Sequence, residues 1–163
     1  MDQIRQVFAS ERIRFVEVSE SLVEDYLVMI NDVENVERFI GSVHEPFTAE
    51  KEIAWVHKKR EEHATVFSML EKESGEFIGN IELMDAEGPV RELGIALTAA
   101  KQGRGFGTEA VRALTAYGLE KLGLERITLR AKPFNARAIH VYEKCGFREY
   151  DRTEENICMV YAP

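Results

Sequence analysis

The chain has 163 residues, 45% apolar and 31% charged, with a formal net charge of −8 at pH 7. That length and balance suit a single globular domain over residues 1–163 with one sizeable core. The negative charge argues against nucleic-acid binding, which needs Lys and Arg to neutralise phosphates, and no apolar run is long enough to cross a bilayer.

The start, Met1-Asp2-Gln3-Ile4-Arg5, lacks the apolar stretch and cleavage site of a secretory signal, so a cytoplasmic location is expected. A strand is predicted over 12–18, where apolar and polar residues partly alternate. Ser21-Leu22-Val23-Glu24 reads as a capping box opening a helix that carries Leu22, Tyr26, Met29 and Ile30 at helical spacing. A second helical stretch covers 32–40 and stops at Gly41; Thr48 then caps a third helix with Ile53, Trp55 and Val56. Strands over 65–71 and 77–84 flank the hairpin signal Ser74-Gly75, and another strand over 90–97 follows the Gly88-Pro89 turn.

A glycine-rich segment leads into a helix over 106–122, with Val111, Leu114 and Leu122 along one side and Gly123 closing it. A strand over 126–131, a short helix capped by Asn135 and ending at Gly146, and strands near 147–151 and 157–161 complete the chain. The order describes an α/β (α+β) domain built around one mixed sheet. Cys145 and Cys158 lack CxxC spacing and are expected to be reduced packing residues. His44, His57, His63 and His140 show no metal spacing and are expected to be exposed, so no metal is expected.

Two segments carry chemistry. In Gln102-Gly103-Arg104-Gly105-Phe106-Gly107-Thr108, glycines let the backbone approach a ligand, and the helix start offers unpaired N–H groups and a positive dipole end, which suits a diphosphate. The Walker lysine is missing, and Thr108 stands where a dinucleotide fingerprint needs its third glycine. In the second segment, 135–147, Ala138 and Tyr142 share a helical face, which leaves room beside a tyrosine hydroxyl able to donate a proton. There is no GxSxG elbow and no Cys–His pair suited to nucleophilic catalysis.

Together these segments resemble the GNAT superfamily of N-acetyltransferases. Gln102, Gly105 and Gly107 match its Gln/Arg-x-x-Gly-x-Gly/Ala pattern. Asn135, Ala138, Tyr142, Gly146 and Phe147 match its downstream pattern, and Arg91-Glu92-Leu93-Gly94-Ile95-Ala96-Leu97 sits where the family has the strand before the loop. More narrowly, the chain looks like the subgroup holding ribosomal-protein N-terminal and diamine acetyltransferases, with a short final hairpin. The resemblance implies a sheet splayed at an acetyl-CoA site, with helices on both faces. It divides the chain into acceptor-side helices at about 19–64, a cofactor core at about 65–147 and a hairpin at about 147–163.

The resemblance further implies that acetyl-CoA pairs its pantetheine arm with the backbone of Ile95, Ala96 and Leu97. Backbone N–H groups of Gln102, Gly103, Arg104, Gly105, Phe106, Gly107 and Thr108 would hold the diphosphate. Asn135 would bond the pantetheine end, with Ala138 beside it and Tyr142 next to the sulfur as general acid. Glu92, where the strand enters the site, is the candidate base, acting through water. The acceptor implied is a cationic primary amine, with a protein or peptide N-terminus ahead of a polyamine, drawn by acidic residues such as Glu24, Asp25, Asp32, Glu34 and Glu37. The alternative on the same fold is a non-catalytic acyl-CoA-binding or protein-interaction module.

Overall fold

The computed structural model describes residues 4–40, 45–84 and 88–163; Gly41 and His44 lie outside them. Eight strands form one sheet in the order β1-β2-β3-β4-β5-β6-β8-β7. They are β1 (Gln6–Ala9), β2 (Ile13–Glu17), β3 (Val66–Glu71), β4 (Phe77–Met84), β5 (Val90–Leu97), β6 (Arg126–Ala131), β7 (Arg148–Arg152) and β8 (Ile157–Tyr161). Every neighbouring pair is antiparallel except β5 and β6, which run parallel.

The helices are α1 (Val23–Ile30), α2 (Arg38–Ile40), α3 (Ala49–Glu61), α4 (Phe106–Glu120) and α5 (Ala136–Lys144). Side-chain alternation along the strands gives each face its own core. On one face, Phe15, Met69, Ile81 and Leu93 pack against Phe106, Val111 and Leu114 of α4 and Tyr142 of α5. On the other, Val16, Val66 and Leu70 pack against Tyr26 and Met29 of α1 and Val56 of α3. Helices therefore cover both faces, and the mixed α/β sheet expected from the sequence is present.

Several local expectations are corrected. Strand β1 has no counterpart in the sequence reading, because its four residues are mostly exposed and show no alternation. Phe8 holds it down, stacking on Phe15 at 4.3 Å and on Tyr117 at 4.4 Å between ring centroids. Ser19, not Ser21, does the capping: its side chain accepts from Ser21 N at the head of a 3-10 turn, Glu20–Leu22, and α1 itself starts without a side-chain cap. Helix α4 stops at Glu120, so Leu122 lies past its end and is 38% exposed instead of joining Val111 and Leu114 in the core.

The two caps expected at Thr48 and Asn135 are present. Thr48 caps α3 by accepting from Lys51 N, and Asn135 caps α5 by accepting from Ala138 N. Asp32 caps a π-helical turn, Val33–Glu37, that runs into α2. Both cysteines are free thiols, with Cys145 buried. Of the described histidines, His57, His63 and His140 are exposed, and His57 pairs with Glu20. Among the described residues, no helix is long and apolar enough to span a membrane and no group of side chains is arranged for a metal ion.

Candidate functional site

The parallel contact between β5 and β6 covers only Val90↔Arg126, Arg91↔Ile127 and Glu92↔Thr128. Past Glu92, β5 continues to Leu97 bonded to β4 alone, while β6 continues to Ala131 bonded to β8. The strands diverge, and a cleft of about 1400 Å³ opens between them. The backbone of Gly94, Ile95, Ala96 and Leu97 forms one wall, with no strand on its β6 side.

That wall leads into the glycine-rich loop. Gly103 and Gly105 adopt φ of 71° and 83°, a left-handed conformation open to glycine and strained for most other residues. At the head of α4 the backbone N–H groups have no partner four residues back, and they are left to a ligand. Gln102, Gly103, Gly105, Gly107 and Thr108 line the cleft. Arg104 and Phe106 do not. Phe106 is 1% exposed and anchors the helix start in the core, so only its backbone is available. The Gln102 N–H is already bonded to Ala99 O; its side-chain Nε2 instead donates to Leu97 O and to Asn35 O, each at 2.9 Å.

The loop is braced from behind. Buried Lys101 donates to Glu71 at 3.0 Å and to Glu76 at 2.9 Å. Arg12 in the β1–β2 turn reaches Glu109 of α4 at 2.8 Å and Arg104 O at 3.1 Å, and its guanidinium lies 4.3 Å from the Phe106 ring centroid. Glu109 also accepts from Ser10 Oγ at 2.5 Å and Arg12 N at 2.7 Å. Burial pushes the Glu109 carboxyl up, but the bonds from Ser10 and Arg12 outweigh it and hold its pKa below the ordinary 4.5. A depressed carboxyl contributes stability that is complete above its unfolded pKa and lost as pH falls through its folded one. Glu109→Gln should therefore destabilise the fold at pH 7 and much less at pH 3, as read by urea unfolding at the two pH values.

On the opposite wall, Asn135, Ala138 and Tyr142 of α5 face the cleft. Tyr142 is 9% exposed and its hydroxyl makes no hydrogen bond among the described residues. Burial first and the neighbouring Cys145 second push its pKa up to about 12, so the hydroxyl keeps its proton. It is a donor waiting for an acceptor.

Glu92 lines the cleft, but its carboxylate is gripped by Arg130, with Nε to Oε1 and Nη2 to Oε2 both at 3.1 Å. Lone pairs held in a two-point ion pair are poorly placed to take a proton. Two carboxylates not singled out from the sequence are unpaired among the described residues. Glu82 of β4 stands opposite Gly94 in the ladder, and its Oε1 lies 3.6 Å from where a Gly94 Cβ would be. It sits beside the fork of the strands because glycine leaves that space open. Burial raises its pKa, Lys59 opposes the rise and Glu92 adds to it. The other is Glu52 of α3, on the face that also carries Trp55 and Lys59.

Beside them runs a buried polar chain: Ser19 N donates to the Tyr26 hydroxyl at 3.2 Å, Tyr26 meets Ser68 Oγ at 2.5 Å, and Ser68 donates to Asn80 Oδ1 at 2.8 Å. Sequence periodicity could not single out Asn80 and Glu82, because a polar residue at every second strand position reads as a solvated face. Here α1 and α3 cover that face. Of the acidic residues expected at the acceptor side, Glu34 alone lines the cleft. Glu24 and Asp25 point outward, because Tyr26 and Met29 turn the opposite side of α1 inward. Over the cleft, Phe39 meets Phe134 at 5.7 Å, and Arg38 lies over both rings at 4.8 and 5.4 Å.

A strand fork ending at a glycine-rich helix start, faced by a protonated tyrosine, defines a site for a long thin ligand with a phosphate end. The acetyltransferase (GNAT) domain model matches residues 12–148. The chain belongs to the GNAT acetyltransferase family. It is 32% identical over 109 residues to the uncharacterized N-acetyltransferase p20 of Bacillus licheniformis, covering 62% of this chain and 61% of that one. It is 30% identical over 105 residues to spermidine N(1)-acetyltransferase of Escherichia coli K12, covering 63% and 56%. The match thus spans about three fifths of the length of these curated relatives. Among solved structures, a GNAT-family acetyltransferase from Bacillus anthracis superposes with a TM-score of 0.80 at 21% identity, covering 99% and 98% of the two chains. Spermidine N-acetyltransferase from Vibrio cholerae, solved with CoA and spermine, gives 0.77 at 18% identity, covering 94% and 96%. At such identities the structures speak for the fold.

Proposed function

We infer that the protein transfers the acetyl group of acetyl-CoA to a primary amine by direct attack in a ternary complex. The observation that carries this reading is the fork of β5 and β6, which opens onto the Gly103–Thr108 loop and Tyr142 in one continuous cleft. The open edge of β5 suits a ligand arm that carries amides. The loop N–H groups suit a diphosphate.

Acetyl-CoA supplies an activated acyl thioester. Glu82, ionised beside the fork, takes the proton from the acceptor ammonium. The freed nitrogen lone pair bonds to the carbonyl carbon, and a backbone N–H of the forked strand meets the charge that develops on the carbonyl oxygen. As the carbon–sulfur bond breaks, Tyr142 gives its proton to the departing sulfur and regains one from the attacking nitrogen, which sheds its second proton as the amide forms; the proton held by Glu82 then passes to solvent. Glu92 with Arg130 stabilises the position of the fork instead of carrying protons itself. The net acidic charge favours a cationic acceptor.

The test pairs binding with turnover. Acetyl-CoA should bind one per chain and raise Tm, since a ligand bound only by the native state stabilises it. Gly105→Asp should abolish that shift, by placing a side chain on a left-handed residue and a negative charge against the phosphates. CoA release should appear with at least one member of a panel of peptide N-termini, polyamines and aminoglycosides. A Tm shift without CoA release from any amine would favour the non-catalytic acyl-CoA-binding module.

A further inference from the structure

Only every second residue of an antiparallel strand turns its N–H and C=O toward a given neighbour. Thr98 N donates to Ile78 O of β4 at 2.9 Å, so Ala96 and Gly94 also face β4, while Ile95 and Leu97 direct their backbone groups into the fork. One of those groups is already taken. The side-chain Nε2 of Gln102 donates to Leu97 O at 2.9 Å, which closes the open margin of β5 at its last carbonyl. The second hydrogen of the same amide goes to Asn35 O, also at 2.9 Å. Gln102 follows a 3-10 turn, Ala99–Lys101, in which buried Lys101 is tied to Glu71 and Glu76, so the amide hangs from a fixed point. Asn35 has no such footing. It belongs to the π-helical turn Val33–Glu37, a single turn in which Val36 N and Glu37 N share Asp32 O. Such turns are rare and recur at functional sites. Val36 is buried beneath it, but Glu34 and Asn35 stand exposed on the cleft wall.

We propose that Gln102 is a positioning residue of the acceptor wall: its amide fastens the turn at Asn35 to the end of the β5 margin and so sets how far Glu34 and Asn35 stand from the fork. This differs from the role expected from the sequence, in which Gln102 holds the diphosphate through its backbone. Its N–H is spent on Ala99 O at 3.2 Å, and both side-chain hydrogens are spent on protein carbonyls. The margin left to a ligand is then the N–H and C=O of Ile95 with the N–H of Leu97. That the fastened wall faces an acceptor rests on the acetyltransferase reading, whereas the fastening itself is measurable without turnover.

The experiment is amide hydrogen exchange of the whole chain by NMR for wild type, Gln102→Ala and Gln102→Glu, alongside calorimetric titration of each with CoA. Loss of one neutral hydrogen bond should speed exchange at Val36, Glu37 and Arg38 by about two- to tenfold in Gln102→Ala, with CoA affinity close to that of wild type. Gln102→Glu keeps the shape of the side chain but can only accept, so it should loosen the turn at least as much. The change should stay within 33–38. For any amine that releases CoA, both variants should raise the amine KM and leave the acetyl-CoA KM as it was. Faster exchange along α1 and β5 as well, with a lowered Tm, would mark a purely structural role and overturn the assignment. Exchange at 36–38 unchanged in either variant, or CoA affinity that falls sharply while the turn stays put, would overturn it too and return Gln102 to the cofactor. A turn loosened as expected in a protein whose wild type binds no CoA would overturn the acetyltransferase reading and leave the fastening standing.

Discussion

Tyr142→Phe should lower kcat by roughly ten- to a thousand-fold, the usual worth of a positioned general acid, while acetyl-CoA binds as before. The substitution removes one oxygen and keeps the ring that packs against Phe147, with centroids 6.4 Å apart. The hydroxyl bonds to nothing else among the described residues, so its loss leaves no buried group unsatisfied and Tm should hold. With a pKa pushed up to about 12, Tyr142 stays protonated through the usable range, and wild-type kcat should show no descending limb below about pH 10. A kcat within twofold of wild type would mean that the thiolate departs unaided and the tyrosine only packs.

Glu82→Gln is expected to cost about a hundred- to ten-thousand-fold in kcat, and Glu92→Gln much less. The contrast rests on geometry: Glu82 is unpaired beside the fork, whereas both oxygens of Glu92 are bonded to Arg130. A base works in its ionised form, so kcat should fall as pH drops through the pKa of Glu82. Burial, chiefly, and then the charge of Glu92 place that limb above the ordinary 4.5, against the pull of Lys59. Removing the Glu92 charge should then shift the limb to lower pH. A variant Glu92→Gln that loses more activity than Glu82→Gln, or a limb that moves upward, would return the base to Glu92.

The elements that the sequence declared plainly are those with strong local rules. The hairpin at Ser74-Gly75, the caps at Thr48 and Asn135, and the glycine loop all stand where their chemistry places them. The wall we assign to the cofactor could be located from the sequence because its residues are close along the chain: Gln102 to Thr108 form one segment, and Ala138 and Tyr142 lie on α5 behind its cap Asn135. The acceptor wall was not. It is assembled from Tyr26, Glu52, Asn80 and Glu82, which lie on two helices and one strand and meet only when α1 and α3 settle on the sheet. Alternation along β4 gives the side of Glu82 but not whether water or a helix covers it. The acidic residues of α1 and the turn after it stood out in composition, yet the inward rotation of Tyr26 and Met29 sends Glu24 and Asp25 to solvent.

The fork also bears on how the chain avoids sticking to itself. A strand with one side unbonded is a template for another strand, and proteins commonly protect such margins with charge, bulges or a covering element. Here the bare margin of β5 past Glu92 lies inside the sheet, not at its rim, with β6 on the far side of the gap and Phe39 and Phe134 across the opening. A foreign strand brings side chains on both its faces into that fork. A slender chain of amides does not. A margin held between two strands of one sheet is less open to a second chain than a rim strand is, while a slender guest can still lie along it.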